Sequence, residues 1–309
     1  MADKISTRQA YGDALVALGR ENQQIIVMDA DLSKSTMTAG FKKEFPERFF
    51  NAGIAEANMM GMAAGLALSG KTVFASTFAM FAAGRAYEII RNSIAYPKAN
   101  VKICATHAGI TVGEDGASHQ CIEDLALMRV IPGMTVVHPA DAVSAKKLLG
   151  EIAAEDGPAY VRLGRLNIPV LYDEAADIQL GKGNCVKDGS DATVIACGLM
   201  VNEALIAAEK LEKEGISLRV IDMHTIKPID EEIIVKAASE TKAIITAEEH
   251  SVIGGLGAAV AEVVVKKCPV KMAMVGIQDR FGQSGKPQAL MEEYHITAAD
   301  IAKAVKETL

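Results

Sequence analysis

The stretch "VKICATHAGITVGEDGASHQ", residues 101–120, places a short apolar run directly before a glycine-rich loop. The run predicts a buried strand over 101–107, and open α/β sheets bind ligands at the carboxyl ends of such strands. The loop carries His107, Glu114, Asp115 and His119. A lone histidine is more often a structural hydrogen-bonding residue, but three of the six histidines fall within 106–142, which favours a functional site.

Similar runs alternate with helical segments along the whole chain, which predicts parallel sheets covered by helices. The fold class is therefore α/β, with two doubly wound domains. The periodic pattern is lost between 168 and 190, so we predict a first domain over 1–168, a linker over 169–190 and a second domain over 191–309. The predicted strands are 24–30, 71–77, 101–107, 134–140, 159–164, 192–198, 217–223, 242–248 and 270–276. The predicted helices are 7–20, 55–69, 82–95, 142–153, 200–214, 230–239, 255–267 and 298–308.

Composition excludes several classes of protein. The net charge is −7 and no Lys/Arg block is present, which argues against a general affinity for nucleic acid. The start lacks the pattern of a signal peptide, and the longest apolar run, 59–68, is too short to span a membrane. The five cysteines are scattered without the spacing of a zinc or redox motif. These features predict a soluble cytoplasmic protein with reduced thiols that acts on small substrates or binds protein partners.

Glu56 stands at the head of a predicted helix made otherwise of small and apolar residues, 55–69. Another backbone can approach such a helix closely, which suggests an interface. A carboxylate in these surroundings loses hydration, which favours its protonated form and suits proton transfer near neutral pH. The alternative is an ordinary first-turn Glu that faces solvent and the helix dipole.

Two aromatic residues, Phe78 and Phe81, lie three apart in the small-residue segment "STFAMFAAGRAYE", 76–88. Two such rings are able to hold a flat heterocycle. Core packing explains the same spacing equally well. The pair alone therefore does not decide between a site and a core.

An ordered series of motifs resembles the transketolase family, whose members use thiamine diphosphate. The first six resemble the pyrimidine-binding domain: "DADLSKS" (29–35), "FFNAGIAEANMMGMAAGLA" (49–67), "STFAMF" (76–81), "THAGITVGEDGASHQ" (106–120), "LMRVIPGMTVVHPAD" (127–141) and "AYVRLGR" (159–165). Two more resemble the C-terminal domain: "EEHSVIGGLGAAVAE" (248–262) and "RFGQSGKPQALMEEYHIT" (280–297). The resemblance covers essentially the whole chain and implies a pyrimidine-binding fold followed by a transketolase C-terminal domain with a mostly parallel sheet.

The resemblance implies a cofactor role for four residues. Glu56 matches the glutamate that hydrogen-bonds a ring nitrogen of the aminopyrimidine and so promotes loss of the thiazolium proton. Phe78 and Phe81 match aromatic residues that pack on the pyrimidine ring, and Asp31 matches an acidic residue near the cofactor. Where transketolases commonly carry a third aromatic residue, this chain has Gly84, so the pocket is expected either to be looser there or to be filled by another residue.

The resemblance also implies a sugar phosphate site. Asp115 matches a residue that contacts a substrate hydroxyl, and His119 matches one beside the reacting carbon, where it would act with His107 in positioning the substrate and relaying protons. Guanidinium, hydroxyl and imidazole groups suit a phosphate. The positions that match phosphate-binding residues are Arg8, Ser35, His107 and Arg165.

One part of the family pattern is missing. Full-length transketolases carry a GDG motif, followed by Asn, that holds Mg²⁺ and the cofactor diphosphate, and the only similar string here is "EDG" at 114–116, inside the histidine loop. The resemblance therefore implies the C-terminal half of a split transketolase, without a metal ligand of its own and dependent on an N-terminal subunit that holds Mg²⁺ and the diphosphate. A heterotetramer with two copies of each chain is expected. The Met1 start and the full second domain favour a natural subunit.

Alternatives remain at this point. Deoxyxylulose-phosphate synthase shares a similar loop, and the β subunit of 2-oxo acid dehydrogenases shares the length and organisation. "IAEANMMGMAAG" and "DRFGQSGKP" favour transketolase over the first, and "GEDGASHQ" favours it over the second. A non-catalytic homologue is the third alternative. "GGLGAA" (254–259) resembles a dinucleotide-binding turn, but close packing at a helix start explains it more simply.

Overall fold

A computed structural model describes residues 3–309 of the chain. Within them the chain alternates strands and helices, as the sequence pattern predicts. The strands are β1 (Lys4–Ile5), β2 (Ile25–Asp29), β3 (Phe49–Asn51), β4 (Thr72–Phe78), β5 (Val101–Thr106), β6 (Thr135–Val137), β7 (Ala159–Arg162), β8 (Ile168–Pro169), β9 (Asn184–Lys187), β10 (Ala192–Ala196), β11 (Leu218–Asp222), β12 (Thr225–Lys227), β13 (Ala243–Ser251) and β14 (Lys271–Ile277).

Side chains cap the free backbone N–H groups at the start of several helices. The Ser6 side chain accepts from the Gln9 N–H at one helix start, and Asp141 and Ser144 form a capping box at another. The helices are α1 (Thr7–Glu21), α2 (Ala39–Glu44), α3 (Glu56–Leu68), α4 (Tyr87–Ile89), α5 (Asp124–Arg129), α6 (Ala142–Ala154), α7 (Met200–Glu212), α8 (Glu231–Glu240), α9 (Leu256–Lys267), α10 (Pro287–Glu293) and α11 (Ala298–Thr308).

The first domain is built on a seven-stranded sheet in the order β12-β6-β7-β5-β4-β2-β3. All neighbouring strands are parallel except β12, which runs antiparallel to β6. Every residue of β2, β4 and β5 is buried, as expected for a parallel sheet with helices on both faces. The carboxyl ends of β2, β4, β5 and β7 therefore meet at one edge, where the candidate site lies.

The second domain is built on a five-stranded sheet in the order β14-β13-β10-β11-β9, and only β9 is antiparallel. The strand β9 lies inside the segment 169–190 that the sequence predicts as a linker. The strand β12 belongs to the C-terminal half of the chain but completes the sheet of the first domain, pairing Thr225 with Val137. The two domains therefore share a sheet as well as a linker.

The segment 82–95 is helical, but it is not the single regular α-helix that the sequence predicts. Two π-helical segments, Phe81–Arg85 and Ile90–Ala95, flank the single turn of α4. A π-helical turn inserts an extra residue and rotates the side chains that follow, and such turns are frequent at functional sites. Phe81 and Arg85 are the first and last residues of the first π-helical segment.

The glycines of "GGLGAA" lie in close packing at the start of α9, as predicted. A β-carbon at Gly255 would stand 2.1 Å from the Glu248 carboxylate. That carboxylate accepts the backbone N–H groups of Leu256 and Gly257 at 2.7 and 2.8 Å. Glu248 thus caps α9 from inside the protein.

Two further predictions concern the cysteines and the membrane. All five cysteines lie within the described residues and are unpaired. Over residues 3–309, none of the helices combines the length and the apolar character needed to cross a bilayer.

Candidate active site

Glu56 is the first residue of α3 and is 4% exposed. Its Oε1 accepts a hydrogen bond from Nη1 of Arg85 at 2.9 Å. The residue before it, Ala55, has no side-chain oxygen to cap the helix, and Glu56 is the acidic residue of the first turn, where the helix dipole favours negative charge. Glu56 is thus a buried acidic group held at a helix start, close to the carboxyl edge of the sheet.

Arg85 is the residue that sequence reasoning missed. Its guanidinium carbon lies 4.1 Å from the centroid of the Phe81 ring, and its side chain is 53% exposed. The sequence predicts apolar surroundings for Glu56, whereas the structure adds this cation from the end of the π-helical segment Phe81–Arg85. The available signal was a single Arg within the small-residue segment "AAGRA", 82–86.

The two aromatic rings lie together at the end of β4. The centroids of Phe78 and Phe81 are 5.7 Å apart, with the planes 21° from parallel. At Gly84, a β-carbon would stand 2.6 Å from Cε of Met80. The Met80 side chain therefore fills the space next to Gly84, the position at which the family commonly has a third aromatic residue.

His107 follows β5 in the left-handed conformation, with φ of 56°. Its ring stacks on Phe78 at 3.9 Å between centroids. Nε2 lies 3.4 Å from Nη1 of Arg8, and Nδ1 lies 2.9 Å from Oγ1 of Thr106. Because a guanidinium only donates, Nε2 is the acceptor and Nδ1 carries the proton.

The environment of His107 keeps it neutral. Burial lowers the pKa of His107 to about 3, and the nearby Arg8, Arg165 and His119 act in the same direction. Because the unfolded chain binds this proton near pH 6.5, His107 costs the protein stability as the pH falls below 6.5 toward 3. Within the ordinary working range, His107 accepts a hydrogen bond but carries no charge.

We expect the imidazole nitrogen resonances of His107 to stay constant between pH 8 and pH 5. The measurement is two-dimensional ¹⁵N NMR of the histidine side chains, with His107→Gln used to assign the signal. A titration midpoint near 6.5 would contradict the neutral state inferred here.

Two arginines converge on His107 and form a basic pocket. Nη1 of Arg8 donates to the backbone carbonyl of Ser35 at 2.8 Å, so Ser35 takes part through its main chain. Nε of Arg8 is buried without a hydrogen-bond partner among residues 3–309. Burial and the neighbouring Arg165 lower the pKa of Arg8. An anionic ligand would neutralise the two neighbouring guanidinium groups and accept a hydrogen bond from the unused Nε–H of Arg8.

Arg165 follows β7 and faces the histidine loop. Its Nη1 donates to the carbonyl of Val112 and lies 3.8 Å from carboxylate oxygens of both Glu114 and Asp115. All three side chains are substantially exposed. Arg165 and Asp115 therefore share the open side of the pocket.

His119 and Asp31 differ in how they relate to this group. The ring centroids of His119 and Phe81 are 5.3 Å apart in an edge-to-face arrangement, and Nδ1 of His119 lies 3.0 Å from Oγ of Ser118. Asp31, in the left-handed conformation, accepts from Nδ2 of Asn51 at 2.8 Å. Among the described residues no hydrogen bond or ion pair joins Asp31 to the other predicted site residues.

The residues present fit the pyrimidine half of thiamine diphosphate. A buried carboxylate (Glu56), an aromatic pair (Phe78, Phe81) and a neutral imidazole (His107) lie at one edge of the sheet. In the part of the chain that the structure covers, no group of three or more His, Cys, Asp or Glu side chains is arranged to hold a metal ion.

Comparison with known proteins defines the class first. Residues 3–170 match the family model of the transketolase pyrimidine-binding domain, and residues 181–301 match that of the transketolase C-terminal domain. A solved structure described as a split gene transketolase in an inactive beta4 tetramer is 57% identical, with a TM-score of 0.93 over 99% of this chain and 98% of that chain.

Relatives with similar sequences point to the same family. A chain of Methanocaldococcus jannaschii, provisionally named transketolase C-terminal section, is 54% identical over 98% of this chain and 96% of its own length. Human transketolase is 40% identical over 99% of this chain, which spans only 49% of that protein. This chain belongs to the transketolase family and corresponds to the C-terminal section of its members. The predicted resemblance and the predicted α/β fold are confirmed.

Proposed function

We propose that this chain is the C-terminal subunit of a split transketolase that reversibly transfers a two-carbon ketol unit from a ketose phosphate to an aldose phosphate. The observation that carries the proposal is the meeting of Glu56, the Phe78–Phe81 pair and neutral His107 beside a basic pocket. The match to separate C-terminal chains over their whole length, and to half of the human enzyme, supports the split arrangement.

The cofactor is thiamine diphosphate, whose thiazolium ring supplies a carbanion equivalent when bound. Glu56 would hold the aminopyrimidine and exchange a proton with it, while Phe78 and Phe81 pack on its faces. Arg85 keeps the Glu56 carboxylate in place before the cofactor arrives. Asp31 would lie near the cofactor on the exposed side of the site.

The sugar phosphate would lie in the basic pocket. Arg8 and Arg165 supply donors for the phosphate, His107 offers an uncharged ring, and Ser35 positions Arg8 through its carbonyl. His119 would stand beside the reacting carbon and relay protons, and Asp115 would accept a substrate hydroxyl. A neutral His107 binds a hydroxyl without adding to the positive charge of the two arginines.

The partner is an N-terminal transketolase subunit that brings Mg²⁺ and the diphosphate site. We expect two copies of each chain in the active complex, located in the cytoplasm, where unpaired thiols such as these are stable. The description of the relative as an inactive beta4 tetramer supports self-association of this chain and inactivity without its partner.

The test is a transketolase assay with xylulose 5-phosphate, ribose 5-phosphate, Mg²⁺ and thiamine diphosphate. We expect turnover only when this chain and the N-terminal subunit are mixed, and none from either chain alone. Appreciable turnover by this chain alone would refute the need for a partner. If the two chains bind each other but turn over neither ketose phosphates nor 2-oxo acids, the non-catalytic alternative is correct. Activity on a 2-oxo acid alone would refute the ketose phosphate as substrate and favour the 2-oxo acid dehydrogenase alternative.

A further inference from the structure

The histidine loop, 107–121, is packed against the second domain at each of its three left-handed glycines. The φ angles of these glycines lie between 74° and 88°. A β-carbon added to any of them would press on an atom of the second domain, and the positive φ angles also favour glycine. The contacts of an added β-carbon are Gly109 with the Glu249 carboxylate (2.3 Å), Gly113 with the Gly285 carbonyl (3.3 Å) and Gly116 with Oγ of Ser284 (2.5 Å).

Glu249 makes the contact nearest to His107. It lies on β13, is 2% exposed, and its Oε1 accepts the backbone N–H of Thr111 at 2.6 Å. Burial raises the pKa of Glu249, and the neighbouring Arg162 opposes that shift. A buried acceptor directed at one backbone N–H fixes the position of that peptide.

The other end of the loop is tied to the same strand. Nη2 of the buried Arg162 donates to the carbonyl of Glu249 at 3.0 Å and to that of Cys121 at 3.1 Å. The Cys121 carbonyl also accepts the N–H of Gly109 at 2.8 Å. The carboxylate of Glu249 therefore fastens the loop at Thr111, while its main chain fastens the loop at Cys121 through Arg162.

A short path leads from Glu249 to the basic pocket. Thr111 lies in the 3₁₀ turn Ile110–Val112, and the carbonyl of Val112 accepts from Nη1 of Arg165. In the other direction, Thr111 is four residues after His107. A shift of the Thr111 peptide therefore moves both the acceptor that orients Arg165 and the chain that holds His107.

We propose that Glu249 is a positioning residue for the sugar phosphate site, holding the histidine loop from the second domain. The expected effect on kcat/KM rests on the proposed function, whereas the expected effect on the position of the loop does not. The C-terminal domain is then part of the active-site framework, although it supplies none of the predicted site residues.

The structural test is hydrogen–deuterium exchange on the full-length chain. Glu249→Ala is expected to increase exchange across 107–121, whereas Glu249→Gln is expected to restore protection because an amide oxygen still accepts from Thr111. Glu248→Ala is the matched control, since Glu248 is its equally buried neighbour but caps α9 instead. Equal loop exchange in the two alanine variants, or a Gln variant as unprotected as Ala, would overturn the proposal.

The kinetic test uses the reconstituted pair. Misplacing a binding group by about 1 Å costs up to about a hundredfold in rate, so we expect Glu249→Ala to lower kcat/KM for the ketose phosphate by about tenfold to a hundredfold. Thiamine diphosphate affinity should fall less than this, because Glu56, Phe78 and Phe81 lie outside the loop and contact it only through His107 and His119. An equal loss of cofactor and sugar affinity in Glu249→Ala would mean a general structural defect and refute the assignment.

Two glycine variants provide a second test if Glu249→Ala does not fold. Gly109→Ala pushes directly on the Glu249 carboxylate, whereas Gly133→Ala introduces the same left-handed strain, φ of 73°, in open space. Only Gly109→Ala should raise loop exchange and lower kcat/KM. Matching behaviour of the two variants would count against the proposal. If the wild-type pair turns over no ketose, the proposed function fails and the exchange data alone decide this inference.

Discussion

The Glu56→Gln variant of the reconstituted pair is expected to lose turnover by about a hundredfold to ten-thousandfold, the usual contribution of a positioned acid–base group. The amide keeps an oxygen that accepts from Arg85, so α3 should begin as before. It lacks the exchangeable acidic proton that the proposed mechanism requires. The measurements are kcat and the rate of deuterium exchange at C2 of the bound thiazolium.

Glu47→Gln is a suitable control for that variant. Glu47 is an exposed glutamate on the 3₁₀ turn Pro46–Arg48, where its carboxylate lies near Arg48 and has no part in the proposed mechanism. It should leave both kcat and the exchange rate unchanged. Wild-type C2 exchange in the Glu56→Gln pair would contradict the role given to Glu56.

Asp124→Asn is expected to lower the free energy of unfolding by about 3 to 5 kcal/mol, because it leaves the Arg162 charge buried without its partner. Arg162 and Asp124 are both 0% exposed and lie 2.9 Å apart, and Asp124 also accepts from the Tyr160 hydroxyl at 2.8 Å. The measurement is urea denaturation of the full chain followed by circular dichroism.

Glu44→Gln supplies the comparison. Glu44 forms the same kind of pair with Arg20, at 2.6 Å, but on the surface, where water replaces the lost contact. Its denaturation midpoint should stay close to that of the wild type. If Asp124→Asn unfolds at the wild-type midpoint, the buried pair does not stabilise the fold as argued.

Much of the fold follows from apolar runs whose two faces are both buried. The strands β2, β4, β5 and β10 fall within a residue or two of the predicted runs. A parallel strand that is covered on both faces is apolar along its whole length, so its ends are visible as the ends of an apolar run. The helices α1, α6, α9 and α11 also begin and end within one residue of prediction, since caps and amphipathic spacing are local signals.

Short edge elements were not predictable in this way. The strands β9 and β12 have four and three residues and gain their pairing only from the finished sheets. The π-helical turn at Phe81–Arg85 likewise depends on packing around it. A periodic pattern cannot reveal either one, because it records which face is buried and not how the neighbouring chain is placed.

The candidate site shows the same division. The motifs placed Glu56, Phe78, Phe81 and His107 in order along the chain, and the carboxyl-edge rule brought their segments together. Their partners Arg85, Met80 and Glu249 depend on side-chain directions and on contacts across domains. Glu249, for example, lies 138 residues from Thr111, and nothing local links them.

The strand β12 has a consequence for inheritance. It comes from the C-terminal half but closes the sheet of the first domain against β6, and Lys227 in it donates to the carbonyls of Arg129 and Ile131. A recombination joint between the domains would pair β6 of one parent with β12 of the other, and a poorly matched pair would expose the edge of β6, which invites aggregation. Exchange between relatives should therefore be tolerated best when the segment that carries β12 is inherited together with the first domain.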